Sequence, residues 1–350
     1  MKTRRILILG YFGRTTNKRD GQTIKTRQYL ELLEKNLGGS ARIDTFDTQV
    51  LHFRPWQVIT LLWKVVRSKT VVYMPAQNNL SHFFGTLFVL SRIFDIDIVY
   101  PLIGGWLPDF LEKNRKFVGK LSKIKGIFPE NRTITELLVK KYALQNVHTL
   151  SNFRFVEYEP DVPSSNKDMF RIVFMSRIVK AKGIETVFKI AGYFSDPEVR
   201  EKYPVSIDFY GERFEESDDY FEQMLARFDN VCYKGVLEPK EITRTLSAYD
   251  VLILPTRYPG EGVSGAIIDA YMAGLPVLVS DWMYVKDSVF HGKTGYIVAL
   301  DEHEVENYVG HIKYLFSHQE ELDKMKKEAY LHSKEHGETV AWAILRPFLA

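Results

Sequence analysis

Cys232 is the sole cysteine in a chain of 350 residues. A lone thiol excludes a disulfide framework and a cysteine-built metal cluster, and it fits a reducing compartment. No run of 18 or more apolar residues occurs, so no stretch reads as a membrane-spanning helix. The apolar run in the opening MKTRRILILG is too short for a signal peptide and lacks a small-residue cleavage site. Repeats of fixed period and low-complexity tracts are also missing.

What is present is globular. Hydrophobic residues make up 45% and charged residues 26%, and the length suggests two domains. The net charge of +3 hides an asymmetry. Residues 1–160 carry 25 Lys and Arg against 13 Asp and Glu, a net +12. Residues 161–350 carry 22 against 31, a net −9. A basic half suits an anionic surface such as a membrane leaflet, a lipid-linked phosphate or a nucleic acid; solvated faces of uneven sign are the alternative. Nucleic acid is set aside, because no recognition helix, aromatic RNP-like strand or metal-finger spacing is found.

Apolar strands and helical patterns alternate along the chain, as in an open parallel sheet. In the first half, strands are predicted over residues 4–10, 41–46, 70–74, 96–102, 126–128 and 147–150. Helices are predicted over 22–34, 56–66, 80–93, 108–125 and 133–144. The loop from Gly10 to Gly21 has its backbone freed by Gly13 and Gly21. Arg14, Lys18, Arg19, Lys25 and Arg27 make this opening strongly basic. The turn Gly104-Gly105 follows a strand and so lies at a carboxyl edge, where such sheets take ligands. Residues 111–125, LEKNRKFVGKLSKIK, interleave apolar and basic side chains. Such a helix either lies on an anionic membrane or packs on its own sheet; the helix with Trp56, Trp63, Lys64 and Arg67 admits the same two readings.

Prolines, acids and a Ser-Ser-Asn run mark a linker over 153–169. Beyond it, strands are predicted over 170–176, 205–210, 231–233, 251–254 and 277–279. Helices are predicted over 184–191, 217–228, 240–248, 302–316 and 320–335, before an apolar, aromatic end at 340–349. Arg177 and Lys182 bracket a strand-to-helix loop, where cations can meet a diphosphate or simply face water.

The chain is organised around residues 252–281, LILPTRYPGEGVSGAIIDAYMAGLPVLVSD. A strand ends at Pro255, and a helical pattern opens at Glu261 and Gly262, with Val263, Ala266, Ile267, Ala270 and Tyr271 on one face. Gly274 stops that helix and Pro276 prevents it from resuming. Unpaired N–H groups and the positive dipole end at its tip suit phosphate or sugar oxygens. Glu261 sits at the mouth and Asp269 a little over two turns along.

This stretch resembles the signature of the retaining GT-B glycosyltransferases of family 4. The matching positions are Pro255-Thr256, Glu261-Gly262-Val263-Ser264, Ile268-Asp269-Ala270, Gly274 and Pro276-Val277. The second acid of the family is usually Glu, and Ser264 stands where Gly is common. Arg177, Lys182 and Gly183 are similar to the family's donor-pyrophosphate pair, and Gly211-Glu212 to its turn beside the nucleotide. The turn at 291–298, HGKTGYIV, is similar to another family turn, which makes His291 a turn residue rather than a base. Many relatives carry a His near the turn matching Gly104-Gly105; none stands there in this chain. The resemblance covers residues 170–300 well and the N-terminal half weakly.

The resemblance implies an α/β GT-B fold, two Rossmann-like domains with an interdomain cleft. Residues 1–152 would form the acceptor domain, 153–169 the linker, 170–337 the nucleotide-sugar domain and 338–350 a helix crossing back. Glu261, Arg177 and Lys182 would be catalytic. The nucleotide sugar would meet Arg177, Lys182, Gly211, Glu212, Glu261, Gly262, Val263, Ser264 and Asp269, with Asp269 on the ribose hydroxyls. Gly13, Gly21, Gly104 and Gly105 would line the acceptor side. The implied partners are a nucleotide sugar, a saccharide or lipid-linked acceptor and an anionic membrane surface, in cytoplasmic surface-polysaccharide biosynthesis. Neither cofactor nor metal is expected, because cations already meet the phosphates and no D-x-D cluster follows a plausible strand.

Other readings compete. Gly260, Gly262 and Gly265 spell G-x-G-x-x-G with Asp281 further on, the spacing of a dinucleotide fingerprint. That fingerprint turns directly from strand to helix, whereas residues 255–259 intervene here, which argues against NAD. A GT-B-fold sugar-nucleotide epimerase would use the same cleft without an acceptor, and a non-catalytic binding protein would hold the donor without transfer.

Overall fold

The computed structural model describes residues 4–14, 21–75, 77–155, 159–160 and 168–349. Lys18, Arg19 and most of the predicted linker lie outside the described residues. The chain divides into two compact units, Met1–Phe153 with Glu338–Ala350, and Arg154–Gly337.

The first unit is built on five strands: β1 (Arg4–Gly10), β2 (Ala41–Asp47), β3 (Thr70–Met74), β4 (Asp97–Pro101) and β5 (Gly126–Phe128). They run in the order β2-β1-β3-β4-β5, every pairing parallel. A parallel sheet is covered on both faces, so its strands are apolar runs rather than alternations. Ile6, Leu7, Ile8 and Leu9 of β1 are all fully buried, as this requires. The helix Glu338–Leu349 belongs to this unit, with Phe348 edge-on to Phe128 at 5.0 Å.

The second unit holds β6 (Phe170–Met175), β7 (Val205–Tyr210), β8 (Val231–Tyr233), β9 (Val251–Leu254), β10 (Val277–Ser280) and β11 (Gly295–Val298). The order is β11-β10-β9-β6-β7-β8, again all parallel. Phe174, Phe188, Phe209 and Phe221 interlock in its core, with ring centroids 5.0–5.6 Å apart. From β6 the chain builds outward through β7 and β8, then returns to add β9 on β6's other edge. The loops after β6 and β9 therefore diverge at a topological switch point, where open α/β sheets bind ligands.

Several sequence expectations need correction. Residues 56–66 fall in a 3-10 turn, Pro55–Gln57, followed by the helix Val58–Val66, and the turn at 291–298 ends in β11. Residues 108–125 are not one helix: a helix spans Leu107–Lys113, a 3-10 turn Arg115–Phe117 and a short helix Val118–Leu121. Asn114 breaks the run with a non-helical backbone, its side chain donating to the Phe110 carbonyl. Leu111, Phe117, Leu121 and Ile124 are buried, so this stretch packs on its own unit. Residues 147–150 form no strand, only an isolated bridge from Val147 to Ile127. The helix expected from Glu261 starts at Gly265, with Ser264 extended before it. Among the described residues, no helix is long and apolar enough to cross a membrane.

Candidate active site

The loops after β6 and β9 are fastened to each other by backbone. The Arg257 N–H donates to the Ala181 carbonyl at 2.8 Å. Gly183 is left-handed, φ +86°, and a Cβ there would lie 2.1 Å from the Pro255 carbonyl oxygen. Only glycine fits that position. The contact delivers Lys182 to Glu261: the Lys182 ammonium donates to Glu261 Oε2, which also accepts from Thr256 Oγ1 at 3.1 Å. Both side chains are largely buried, 7% exposed for Lys182 and 14% for Glu261. Glu261 Oε1 has no hydrogen-bond partner among the described residues.

Arg177, two residues beyond the end of β6, is half-buried and makes no ion pair among the described residues. Its guanidinium lies 4.7 Å from the centre of the Tyr258 ring, and the Lys182 ammonium 4.8 Å from the same ring. One aromatic ring thus holds two cations by their attraction to its π system. Trp282, beyond β10, donates its indole N–H to the Tyr258 carbonyl at 2.9 Å. Leu254, Thr256, Glu261, Gly262, Ser264 and Trp282 are among the residues lining a small pocket at this edge.

Gly211 and Glu212 follow β7 beside the same loop. The Ile178 N–H donates to the Glu212 carbonyl at 2.9 Å, and a Cβ on Gly211 would lie 1.7 Å from the Ser176 carbonyl oxygen. Gly262, Val263 and Ser264 lie in the loop ahead of the helix Gly265–Met272 rather than in its first turn. Asp269, on that helix, is gripped by Arg154: Nε donates to Oδ1 at 2.5 Å and Nη2 to Oδ2 at 3.0 Å. Nη2 also donates to the Gly265 carbonyl at 3.1 Å. An ionised carboxylate has about four acceptor sites, so Asp269 keeps capacity for further donors.

Arg257 anchors the far side of the β9 loop. It pairs with Glu304 at 2.5 Å, and the buried Glu304 also accepts from Ser280 Oγ at 3.0 Å. Ser280 contacts the Tyr308 hydroxyl at 3.0 Å. Burial pushes that phenol well above its ordinary range, so it stays neutral in the network.

In the first unit, Gly13 (φ +63°) follows β1 and Gly104 (φ +77°) follows β4, and Gly21 opens the helix Gly21–Leu37. Gly105 is buried beside Gly104. Lys25 is not a solvent-facing cation. It is buried, donating to the Leu102 carbonyl at 2.7 Å and to the buried Glu130 at 2.6 Å. Arg27 donates to the Phe12 carbonyl at 2.9 Å, which ties the helix Gly21–Leu37 to the residues just after β1.

The structure thus gathers Arg177, Lys182, Glu261 and the Gly211-Glu212 turn at one sheet edge of the second unit. The glycines of the predicted acceptor side lie in the first unit. Sequence reasoning missed Tyr258, Arg154, Trp282 and the pair Arg257–Glu304. Tyr258 sat in view between Thr256 and Glu261, both part of the matched signature. Arg154 gave no local signal, being 115 residues from its partner. Among the described residues, no group of three or more His, Cys, Asp or Glu is placed to hold a metal ion.

The family model for glycosyl transferases group 1 matches residues 156–332, just over half of the chain. The chain belongs to this family. Spore coat protein SA of Bacillus subtilis strain 168 is 25% identical over 167 residues, 45% of this chain and 42% of that protein. An uncharacterized 41.2 kDa protein in the cps region of Klebsiella pneumoniae is 24% identical over 136 residues, 39% of this chain and 34% of that protein. The chain thus matches less than half the length of these curated relatives. HepE of Anabaena, solved in complex with UDP and glucose, superposes with a TM-score of 0.73 over 99% of both chains at 15% identity. That likeness establishes the fold, GT-B, with its two parallel α/β units.

The Arg154–Asp269 grip carries a stability expectation. Arg154→Ala leaves a largely buried carboxylate without its partner and should cost about 3 kcal/mol in urea unfolding. Arg154→Ala/Asp269→Ala should recover most of that loss. A single variant as stable as the parent would show the grip to be idle.

Proposed function

We propose that this protein is a retaining family-4 glycosyltransferase. It moves a sugar from a nucleotide-diphosphate sugar to a saccharide or lipid-linked acceptor in surface-polysaccharide assembly. The observation that carries this reading is the pair of cations at the β6/β9 switch point, Arg177 without a carboxylate partner among the described residues and Lys182 beside it. A diphosphate placed there would be met by a bidentate fork and a point charge. HepE, of the same fold, was solved with UDP and glucose, and one relative is a spore coat protein.

In this reading the bond between the anomeric carbon and the phosphate oxygen breaks, and the diphosphate leaves with the electron pair. Its growing negative charge falls on Arg177 and Lys182. Glu261 holds the donor sugar through its hydroxyls, with Oε1 facing the donor, and Asp269 accepts from the ribose. The acceptor hydroxyl attacks from the leaving-group face and passes its proton to the departing phosphate, so configuration is retained. The positive charge comes from side chains, so a chelator should leave transfer unchanged.

Thermal shift against UDP, GDP and ADP sugars identifies the donor, because ligand binding stabilises the fold by mass action. Incubation with candidate acceptors, and NMR of the product anomer, should then show net transfer with retention. An inverted product would remove the family-4 assignment. Turnover of the donor without any acceptor would make the protein an isomerase instead.

A further inference from the structure

The helix Val58–Val66 turns Leu61 and Val65 inward, yet its outward face is apolar too. Trp56 is 64% exposed, Ile59 71% and Trp63 53%. With Arg67 they recur every three or four residues, so they share one side of the segment. Phe53 precedes them, and Ile93 and Phe94, at the end of the adjacent helix Gln77–Ile93, are also exposed. This surface lies entirely within the first unit.

Charge says what covers it. Between Asp47 and Asp95 the sequence has no acidic residue, while Arg54, Lys64, Arg67, Lys69 and Arg92 are all basic. The Arg67 guanidinium lies 4.5 Å from the centre of the Trp63 ring, and Arg54 is exposed beside Phe53. A second copy of this face would bring cations against cations. Tryptophans with arginines at their margin instead match the boundary of a bilayer, ring in the headgroup layer and charge on the phosphates.

We propose that the face built on Phe53, Trp56, Ile59 and Trp63 docks this protein on an anionic lipid bilayer, with Arg54 and Arg67 on the lipid phosphates. This moves the membrane contact away from residues 111–125, whose apolar side chains are buried in the first unit. The inference does not depend on the transferase reading, since vesicle binding is measured without donor or acceptor.

The test is co-sedimentation of the full chain with vesicles of phosphatidylcholine, alone or mixed with phosphatidylglycerol. The protein should bind the anionic vesicles, shift its tryptophan emission to the blue, and release as salt rises. Arg54→Gln and Arg67→Gln should each weaken binding about fivefold. Ile59→Glu should weaken it about tenfold or more while both tryptophans remain as reporters. All three positions are solvent-facing, and unchanged circular dichroism confirms folding. The proposal is overturned if the anionic vesicles bring down no protein, if both vesicle types bind equally at every salt concentration, or if the arginine variants bind like the parent. It is also overturned if Ile59→Glu instead splits a dimer, which would assign the face to a second copy.

Discussion

Lys182→Met is expected to lower the rate of sugar transfer by about 10²–10³-fold, the loss seen when one donor to a developing negative charge is removed. The ammonium has three protons. One is given to Glu261, and the other two can face a diphosphate entering over Tyr258. Losing the ammonium therefore acts on both parts of the donor: the leaving group loses a charge, and the Glu261 carboxylate is left, among the described residues, with only its hydrogen bond from Thr256. The variant must be separated from mere unfolding. Removing one partner of a mostly buried pair leaves the other uncompensated, so Lys182→Met alone should also cost about 3 kcal/mol of stability. Lys182→Met/Glu261→Met replaces both charges by apolar groups and should return to within about 1 kcal/mol of the parent, because isosteric apolar replacement of a buried pair is close to neutral. Transfer stays lost in the double variant. Stability recovered with activity absent assigns the pair to chemistry; activity recovered along with stability would reduce it to scaffolding.

The sheets were legible because strands buried on both faces appear as unbroken apolar runs, as in RRILILG and FRIVFM. The loop cations and Glu261 were legible for a different reason: they lie near strand ends, and a parallel sheet carries all such ends to one edge. Helix boundaries were less so. Periodicity ran through Glu261 and Gly262, but two glycines and a proline within residues 259–262 are poor helix formers, and the chain stays in loop until Gly265. Asn114 likewise interrupts a periodic stretch by bonding to its own backbone. Partnerships across the fold were invisible. Lys25 reads as one more loop cation until Glu130, 105 positions away, takes it into the interior. The outward tryptophans are the reverse case, since periodicity alone cannot say whether an apolar face meets a sheet or solvent.

Gly183→Ala should be a costly single-methyl change beside the site, and Gly235→Ala shows why. The two glycines have nearly the same positive φ, +86° and +85°. Around Gly235 a Cβ meets nothing within 4 Å, so alanine there should cost only the backbone preference, about 1–2 kcal/mol. At Gly183 the same Cβ would sit 2.1 Å from the Pro255 carbonyl oxygen and 2.6 Å from its carbon. Neither is the end of a flexible side chain, so the loops after β6 and β9 must move apart. That movement breaks the Arg257-to-Ala181 bond and draws Lys182 from Glu261. The expected loss is about 3–4 kcal/mol in urea unfolding, with donor affinity falling further than stability alone explains. Comparing the two variants cancels the shared backbone term and leaves the contact between the loops. Equal losses at both positions would mean that the loops tolerate separation, and that Lys182 and Glu261 are held together by their charges rather than by the backbone beneath them.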